Sequence, residues 1–133
     1  MKLARWIFGI AAAYGFLVIA PLYFMEARIG RDDPPAITHP EYFYGFIGIT
    51  LAWQVVFVLI AREPTRYRPL MLASVLEKLG WGVAAIVLFQ QQRVSGMTLG
   101  FGGMDLLLGA LFIVAFFLTP RSVPPIRSAT TSN

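Results

Sequence analysis

Four apolar runs, each long enough to cross a lipid bilayer, constrain this chain more than any other feature of its sequence. At about 1.5 Å of rise per residue, a helix of roughly twenty residues matches a hydrocarbon core of about 30 Å. The runs cover residues 6–25, 42–61, 70–89 and 99–119. They predict an all-α protein, a four-transmembrane-helix bundle with up-down topology. We therefore expect the protein to lie in a lipid bilayer, which is its main predicted partner.

The composition agrees with a membrane protein and excludes several other classes. The chain has 133 residues, of which 57% are hydrophobic and 14% are charged. Since four spans take about 80 residues, no separate soluble catalytic domain fits into the remainder. The absence of cysteine excludes disulfides and thiolate metal sites. The formal charge of +4 comes from Lys and Arg near the predicted helix ends, so we expect no nucleic-acid partner.

The distribution of Lys and Arg predicts the orientation of the bundle. Seven basic residues flank the side that carries both termini: Lys2, Arg5, Arg62, Arg66, Arg68, Arg121 and Arg127. Three flank the other side: Arg28, Arg31 and Arg93. Because cytoplasmic segments carry the excess of basic residues, both termini are predicted to be cytoplasmic. We expect the first run to be kept as a span rather than cleaved as a signal peptide, and residues 121–133 to form a disordered tail.

Pairs of small residues four positions apart predict where the helices pack. In a bilayer, helices associate through close backbone approach at small residues and through interhelical hydrogen bonds. Four pairs have this spacing: Gly9 with Ala13, Ala11 with Gly15, Gly48 with Ala52, and Gly80 with Ala84. We predict that they pack within the bundle, with homodimerisation as the alternative. Gly80 in particular is predicted to be a close-contact position.

A layer of polar side chains is predicted at one depth of the bundle. Glu77 lies about 10 Å inside the third span, where an isolated carboxylate costs a few kcal/mol. Gln54 lies at the same depth in the second span, so we predict a hydrogen bond between the two side chains. Thr50 lies one turn from Gln54 on the same face, Tyr14 of the first span reaches a similar level, and Trp81 shares the Glu77 face of its helix. The layer is interpreted either as a structural network or as a site that binds a ligand or carries a proton.

Four further polar residues need an explanation. Lys78 lies about 100° around the helix from Glu77, so we expect its ammonium to reach the cytoplasmic headgroups. Asp105 is predicted to pair with Arg93 across the third loop, or alternatively to face an outer water-filled vestibule. His39 stands alone among loop carboxylates and lacks the spacing of metal ligands, so no metal site is predicted.

Arg5 and Gly9 form an Arg-x-x-x-Gly element that leads into a glycine-containing first helix, and the first loop is long and lies on the predicted outer side. In these features and in its four spans, the chain resembles the small DoxX-like bacterial membrane proteins. The resemblance covers most of the length. It implies location in a bacterial inner membrane and, in some members, a role as an accessory subunit linked to quinone-dependent oxidation.

The leading functional hypothesis is a non-enzymatic accessory or small hydrophobic-ligand-binding subunit without a cofactor. Such a subunit would act in a larger membrane complex or as a homo-oligomer. One alternative is a proton-coupled small-molecule transporter that uses Glu77. Another is a membrane-embedded enzyme that acts on a lipid or quinone, although no serine has a histidine at its own depth.

Overall fold

The computed structural model describes residues 2–124, and over that range the regular secondary structure is entirely helical. The α-helices are α1 (Lys2–Ile19), α2 (Glu26–Asp32), α3 (Pro40–Arg62), α4 (Arg68–Gln90) and α5 (Gly96–Leu118), and a 3₁₀ segment, Ala20–Phe24, continues α1. Four helices, namely α1 with its 3₁₀ segment, α3, α4 and α5, are long and apolar enough to cross a membrane. The predicted all-α four-helix bundle is confirmed. The predicted tail falls largely on residues 125–133, which lie outside the described range.

Each spanning helix begins before the apolar run that predicted it. Hydropathy marks the segment that contacts hydrocarbon, whereas the backbone hydrogen bonds continue into the headgroup region. Two helices start with Pro at a first-turn position, where a missing N–H breaks no helical hydrogen bond. In α5 the start is fixed by Ser95, whose hydroxyl accepts a hydrogen bond of 3.4 Å from the Thr98 amide.

The spans are arranged as two closely packed pairs. Helix α4 packs along α5, and α1 packs along α3. Contacts between α1 and α5 join the two pairs, whereas α3 and α4 touch less although they follow each other in sequence. We call the end of the bundle with the first and third loops the first-loop end, and the opposite end, where α1 begins and α5 ends, the terminal end.

Glycines without side-chain bulk bring α4 and α5 together. A Cβ on Gly82 would lie 2.7 Å from Leu106 and 3.0 Å from the Gly102 carbonyl oxygen. By contrast, a Cβ on Gly80 would meet nothing within 4 Å, and Gly80 is exposed. The prediction that Gly80 is a close-contact position is therefore wrong. Helix α4 contacts α5 through Gly82 instead, because α5 lies on a different face of α4 from the one inferred.

Three phenylalanines fill the bundle towards the terminal end. Phe8, Phe57 and Phe112 are fully buried. The rings of Phe8 and Phe112 stack with centroids 4.2 Å apart, and Phe57 meets Phe112 edge-on at 5.0 Å. We call these three rings the phenylalanine cluster. One ring comes from each of α1, α3 and α5, so the cluster joins three of the four spans by direct packing.

The first loop is held across its end of the bundle by two side-chain hydrogen bonds. At the start of α2, the Tyr44 hydroxyl of α3 donates to Glu26 Oε2 at 2.7 Å. Just after α2, the Ser95 hydroxyl donates to Asp33 Oδ2 at 3.2 Å. The short helix is thus tied to α3 at one side and to the start of α5 at the other. Helix α2 therefore covers part of the bundle interior at the first-loop end.

Candidate functional site

A cavity of about 750 Å³ occupies the interior between mid-bundle and the first-loop end. All four spans contribute to its walls, and α2 contributes Arg28, Ile29 and Asp32. Most of the wall is apolar, with side chains such as Val18, Leu22 and Phe101. The deepest part carries the polar residues Tyr14, Thr50, Gln54, Glu77, Lys78 and Asp105. This combination of a mainly apolar wall and a few convergent polar groups is typical of small-molecule sites.

Three charged side chains form a cluster at the deep end of the cavity. The Lys78 ammonium lies 3.3 Å from Glu77 Oε2 and donates a hydrogen bond of 3.2 Å to Asp105 Oδ1. Lys78 is only 4% exposed, and both carboxylates are largely buried. We call these residues the charged cluster. It holds two carboxylates that share one ammonium, so the negative charges outnumber the positive charge by one.

The packing of α4 against α5 explains how the cluster forms. A Cβ on Gly109 would lie 3.3 Å from the Lys78 Cβ, so α5 approaches α4 closely beside this lysine. Asp105 is one helical turn before Gly109 on the same face of α5 and therefore meets the Lys78 side chain. The four-carbon stem of Lys78 then brings its ammonium back to the preceding residue, Glu77.

The structure corrects two predicted roles. Lys78 does not extend to the headgroups, because two buried carboxylates lie within its reach and an ammonium at this depth needs them. Asp105 pairs with Lys78 instead of Arg93, whose guanidinium donates to Gln91 Oε1 at 3.3 Å. The two errors have one cause, since Lys78 and Asp105 were each placed without the close α4–α5 contact that joins them.

Gln54 is the most deeply buried polar side chain that lines the cavity, at 1% exposure. Its Nε2 donates a hydrogen bond of 2.9 Å to the Thr50 carbonyl oxygen of its own helix, not to Glu77 as predicted. Its Oε1 is buried and, among residues 2–124, has no hydrogen-bond partner. Gly15 makes room for this amide, because a Cβ there would overlap it. Gln54 Oε1 therefore occupies the space that a side chain at residue 15 would fill, and it is shielded from solvent.

Glu77 also has an acceptor that is not fully used. Its Oε2 lies near the Lys78 ammonium as an ion pair, yet within the part of the chain that the structure describes it has no hydrogen-bond partner. Buried polar atoms are nearly always hydrogen-bonded, and leaving one unpaired costs about 1–3 kcal/mol. Gln54 and Glu77 thus line the same end of the cavity, each with one oxygen that is shielded from solvent.

The remaining predicted site residues divide into two groups. Tyr14, Thr50 and Trp81 line the cavity together with Gln54 and Glu77, and Asp105 joins them. The Trp81 ring stacks on Phe46 with centroids 6.2 Å apart. Arg93 and His39 lie outside the cavity, and the exposed His39 ring has its Nδ1 3.4 Å from Glu41 Oε1. Within residues 2–124, histidine and carboxylate side chains form no group of three that could hold a metal.

Comparison of the chain with protein-family models, with characterised proteins and with solved structures finds no match.

Proposed function

We propose that this multi-pass membrane protein binds a small amphiphilic molecule inside its bundle. The apolar body of the molecule would occupy the upper cavity, and its polar head would reach the charged cluster and Gln54. The observation that carries the proposal is a cavity of about 750 Å³ with a mainly apolar wall and, at its deep end, Gln54 and the charged cluster. Ionisable groups inside a membrane protein are costly and usually functional, so a charged cluster beside an open space favours a binding role.

The closed terminal half supports binding rather than passage through the protein. The phenylalanine cluster fills the centre of the bundle beyond the charged cluster, and the Lys78 ammonium lies 5.4 Å from the Phe57 ring centroid. A molecule that enters from the first-loop end therefore reaches a packed aromatic floor. Transport would require the three rings to separate, whereas binding requires no rearrangement of this half.

A proton-coupled transporter is the second candidate, and one observation favours it. Glu77 Oε2 is buried without a hydrogen-bond partner among the residues in the described range, which suits a carboxylate that takes up and releases a proton. Flux of a cationic dye into proteoliposomes, driven by a proton gradient, tests this candidate. Gradient-dependent uptake that Glu77→Gln abolishes would establish transport in place of static binding.

Purification in a mild detergent, followed by mass spectrometry of the molecules that remain bound, tests the binding proposal. The matched pair of variants is Thr50→Phe, which fills the cavity, and Ile49→Phe, which adds the same ring to the exposed face of α3. We expect the wild type and Ile49→Phe to retain the same bound molecule and Thr50→Phe to lose it. Equal retention by all three proteins would contradict the proposal.

We further propose that both termini are cytoplasmic, so that the cavity lies towards the outer side of the cell membrane. The support is the excess of Lys and Arg on the terminal side of the sequence. Reporter fusions to the C-terminus test this orientation, and an enzyme reporter active only outside the cytoplasm is expected to stay silent. Membership of the DoxX-like proteins, and an accessory role in a larger bacterial complex, remain proposals that rest on architecture.

A further inference from the structure

We infer that the polar head of the bound molecule is a cationic hydrogen-bond donor, namely a protonated amine. This inference rests on the proposed binding function and identifies the chemical class of the ligand. It follows from two properties of the cavity: the imbalance of charge in the charged cluster and the acidic character of the upper wall.

The charge of the cluster favours a cation. Lys78 donates its hydrogen bond to Asp105, and this pair of opposite charges is matched one to one. Glu77 is then the excess carboxylate, and its side chain is largely buried, where its charge is screened less than at the surface. A bound ammonium would give the cluster two positive and two negative charges. A bound carboxylate would instead give three negative charges against one positive charge.

Carboxylates also outnumber cationic side chains in the upper wall of the cavity. Among all lining residues there are four carboxylates, Asp32, Asp33, Glu77 and Asp105, and two cationic side chains, Arg28 and Lys78. Arg28 is itself engaged, with its Nε 3.3 Å from Asp32 Oδ2. A cleft of one prevailing charge between low-dielectric walls concentrates ligands of the opposite charge. Both the attraction of a ligand into the cavity and its binding at the charged cluster therefore favour a positively charged ligand.

Quenching of Trp81 fluorescence by brominated probes tests this inference. The chain has three tryptophans, so Trp6→Phe and Trp53→Phe leave Trp81, which lines the cavity, as the reporter. The probes are 4-bromobenzylammonium, the uncharged 4-bromobenzyl alcohol and the anion 4-bromobenzoate, titrated into protein in lipid nanodiscs at neutral pH. We expect saturable quenching with an affinity for the ammonium at least about tenfold higher than for the alcohol, because its hydrogen bonds are charge-assisted. We expect benzoate to show no saturable component.

A variant in the same reporter background tests whether Glu77 is the source of the preference. Glu77→Gln should remove the preference for the ammonium over the alcohol while both probes still bind, which also shows that the cavity is intact. Glu63→Gln, which removes an exposed carboxylate outside the cavity, is the control and should leave all affinities unchanged.

The outcomes distinguish this inference from the function on which it rests. Saturable quenching with equal affinities for the ammonium and the alcohol, or with tightest binding of benzoate, would keep the binding function and overturn the amine assignment. Quenching by no probe, or quenching unchanged by the cavity-filling Thr50→Phe, would defeat the binding function and the amine assignment together. Preference for the ammonium that persists in Glu77→Gln would also overturn the assignment, because the cluster would not be its source.

Discussion

The two halves of the bundle interior are built from the same helices but are filled differently. Towards the terminal end, Phe8, Phe57 and Phe112 close the centre with stacked and edge-on rings. Towards the first-loop end, the same helices enclose a cavity with Glu77 and Lys78 at its deep end. The filled half shows that these helices can pack to a closed core. The open half is therefore a feature that packing alone does not require.

The comparison also separates two kinds of contribution to stability. In the filled half, the contribution comes from contacts between apolar rings, since lipid competes with any hydrophobic transfer. In the open half, it comes from the balance between desolvating charges and pairing them. Mutations in the filled half should thus change stability and leave ligand binding alone. Mutations in the open half should separate according to whether they break or relieve the charge balance.

The largest expected loss follows from Lys78→Met, which keeps the volume and removes the cluster's only ammonium. Removing one partner of a buried ion pair costs about 3–5 kcal/mol, and protonation of a carboxylate limits the loss towards the lower value. Thermal unfolding in detergent measures it. Lys2→Met, at the exposed start of α1, is the control and should melt like the wild type. Equal melting of the two variants would show that the cluster does not stabilise the fold.

Phe112→Ala should be the next most destabilising change, and it tests the filled half. Truncating a buried Phe costs about 3–5 kcal/mol in soluble cores, but the unfolded reference here is lipid, so we expect about 2 kcal/mol from lost packing. Phe117→Ala on the same helix is 75% exposed before truncation and serves as the control. Affinity for 4-bromobenzylammonium should be unchanged in both variants. A large loss of affinity in Phe112→Ala would show that the two halves are not independent.

Gly82→Ala should cost about 1 kcal/mol, because the added methyl would lie 3.0 Å from the Gly102 carbonyl oxygen and force α4 from α5. Gly80→Ala is the matched control on the same helix, where a Cβ meets nothing within 4 Å. Its effect should be neutral or slightly stabilising, since Ala favours a helix. Melting temperatures in detergent decide between them. If Gly80→Ala lowered the melting temperature more than Gly82→Ala, Gly80 would have to lie in a helix interface.

Glu77→Gln should have the smallest effect on stability, within about 0.5 kcal/mol of the wild type. The substitution leaves Lys78 and Asp105 as a one-to-one pair and removes the carboxylate that the cluster does not balance. The lost attraction to Lys78 and the relieved desolvation act in opposite directions. Chemical unfolding in mixed micelles measures the difference. A loss as large as that of Lys78→Met would mean that Glu77, and not Asp105, is the main partner of the lysine.

Sequence reasoning predicted the spans and most of the polar layer because both depend on properties of single helices. Hydropathy identifies a span without reference to its neighbours, and depth follows from the number of residues along the axis. Glu77, Gln54 and Tyr14 were placed at one level by depth, and Thr50 and Trp81 were added because they share a helix face with Gln54 or Glu77. All five line one cavity.

What the sequence left undetermined depends on the rotation of one helix against another. The choice of Gly82 over Gly80 as the contact, and of Lys78 over Arg93 as the partner of Asp105, follows from the face that α4 turns to α5. Periodicity could not reveal this face, because both faces of a membrane helix are apolar. One signal was present: Lys78 and Asp105 are opposite charges at matching depth in consecutive antiparallel spans.

The unbalanced carboxylate of the charged cluster has an electrical consequence. Asp105 lies nine residues after the start of α5, so the cluster is roughly 14 Å from that end of the helix, close to halfway through a core of about 30 Å. Moving one elementary charge across a full membrane changes its energy by about 2.3 kcal/mol per 100 mV. For each 100 mV, a monovalent cation that travels half of this distance would gain or lose about 1 kcal/mol of binding free energy, which is roughly fivefold in affinity. Occupancy of the cavity would then follow the membrane voltage, and a resting cell and a depolarised one would hold different amounts of the same ligand.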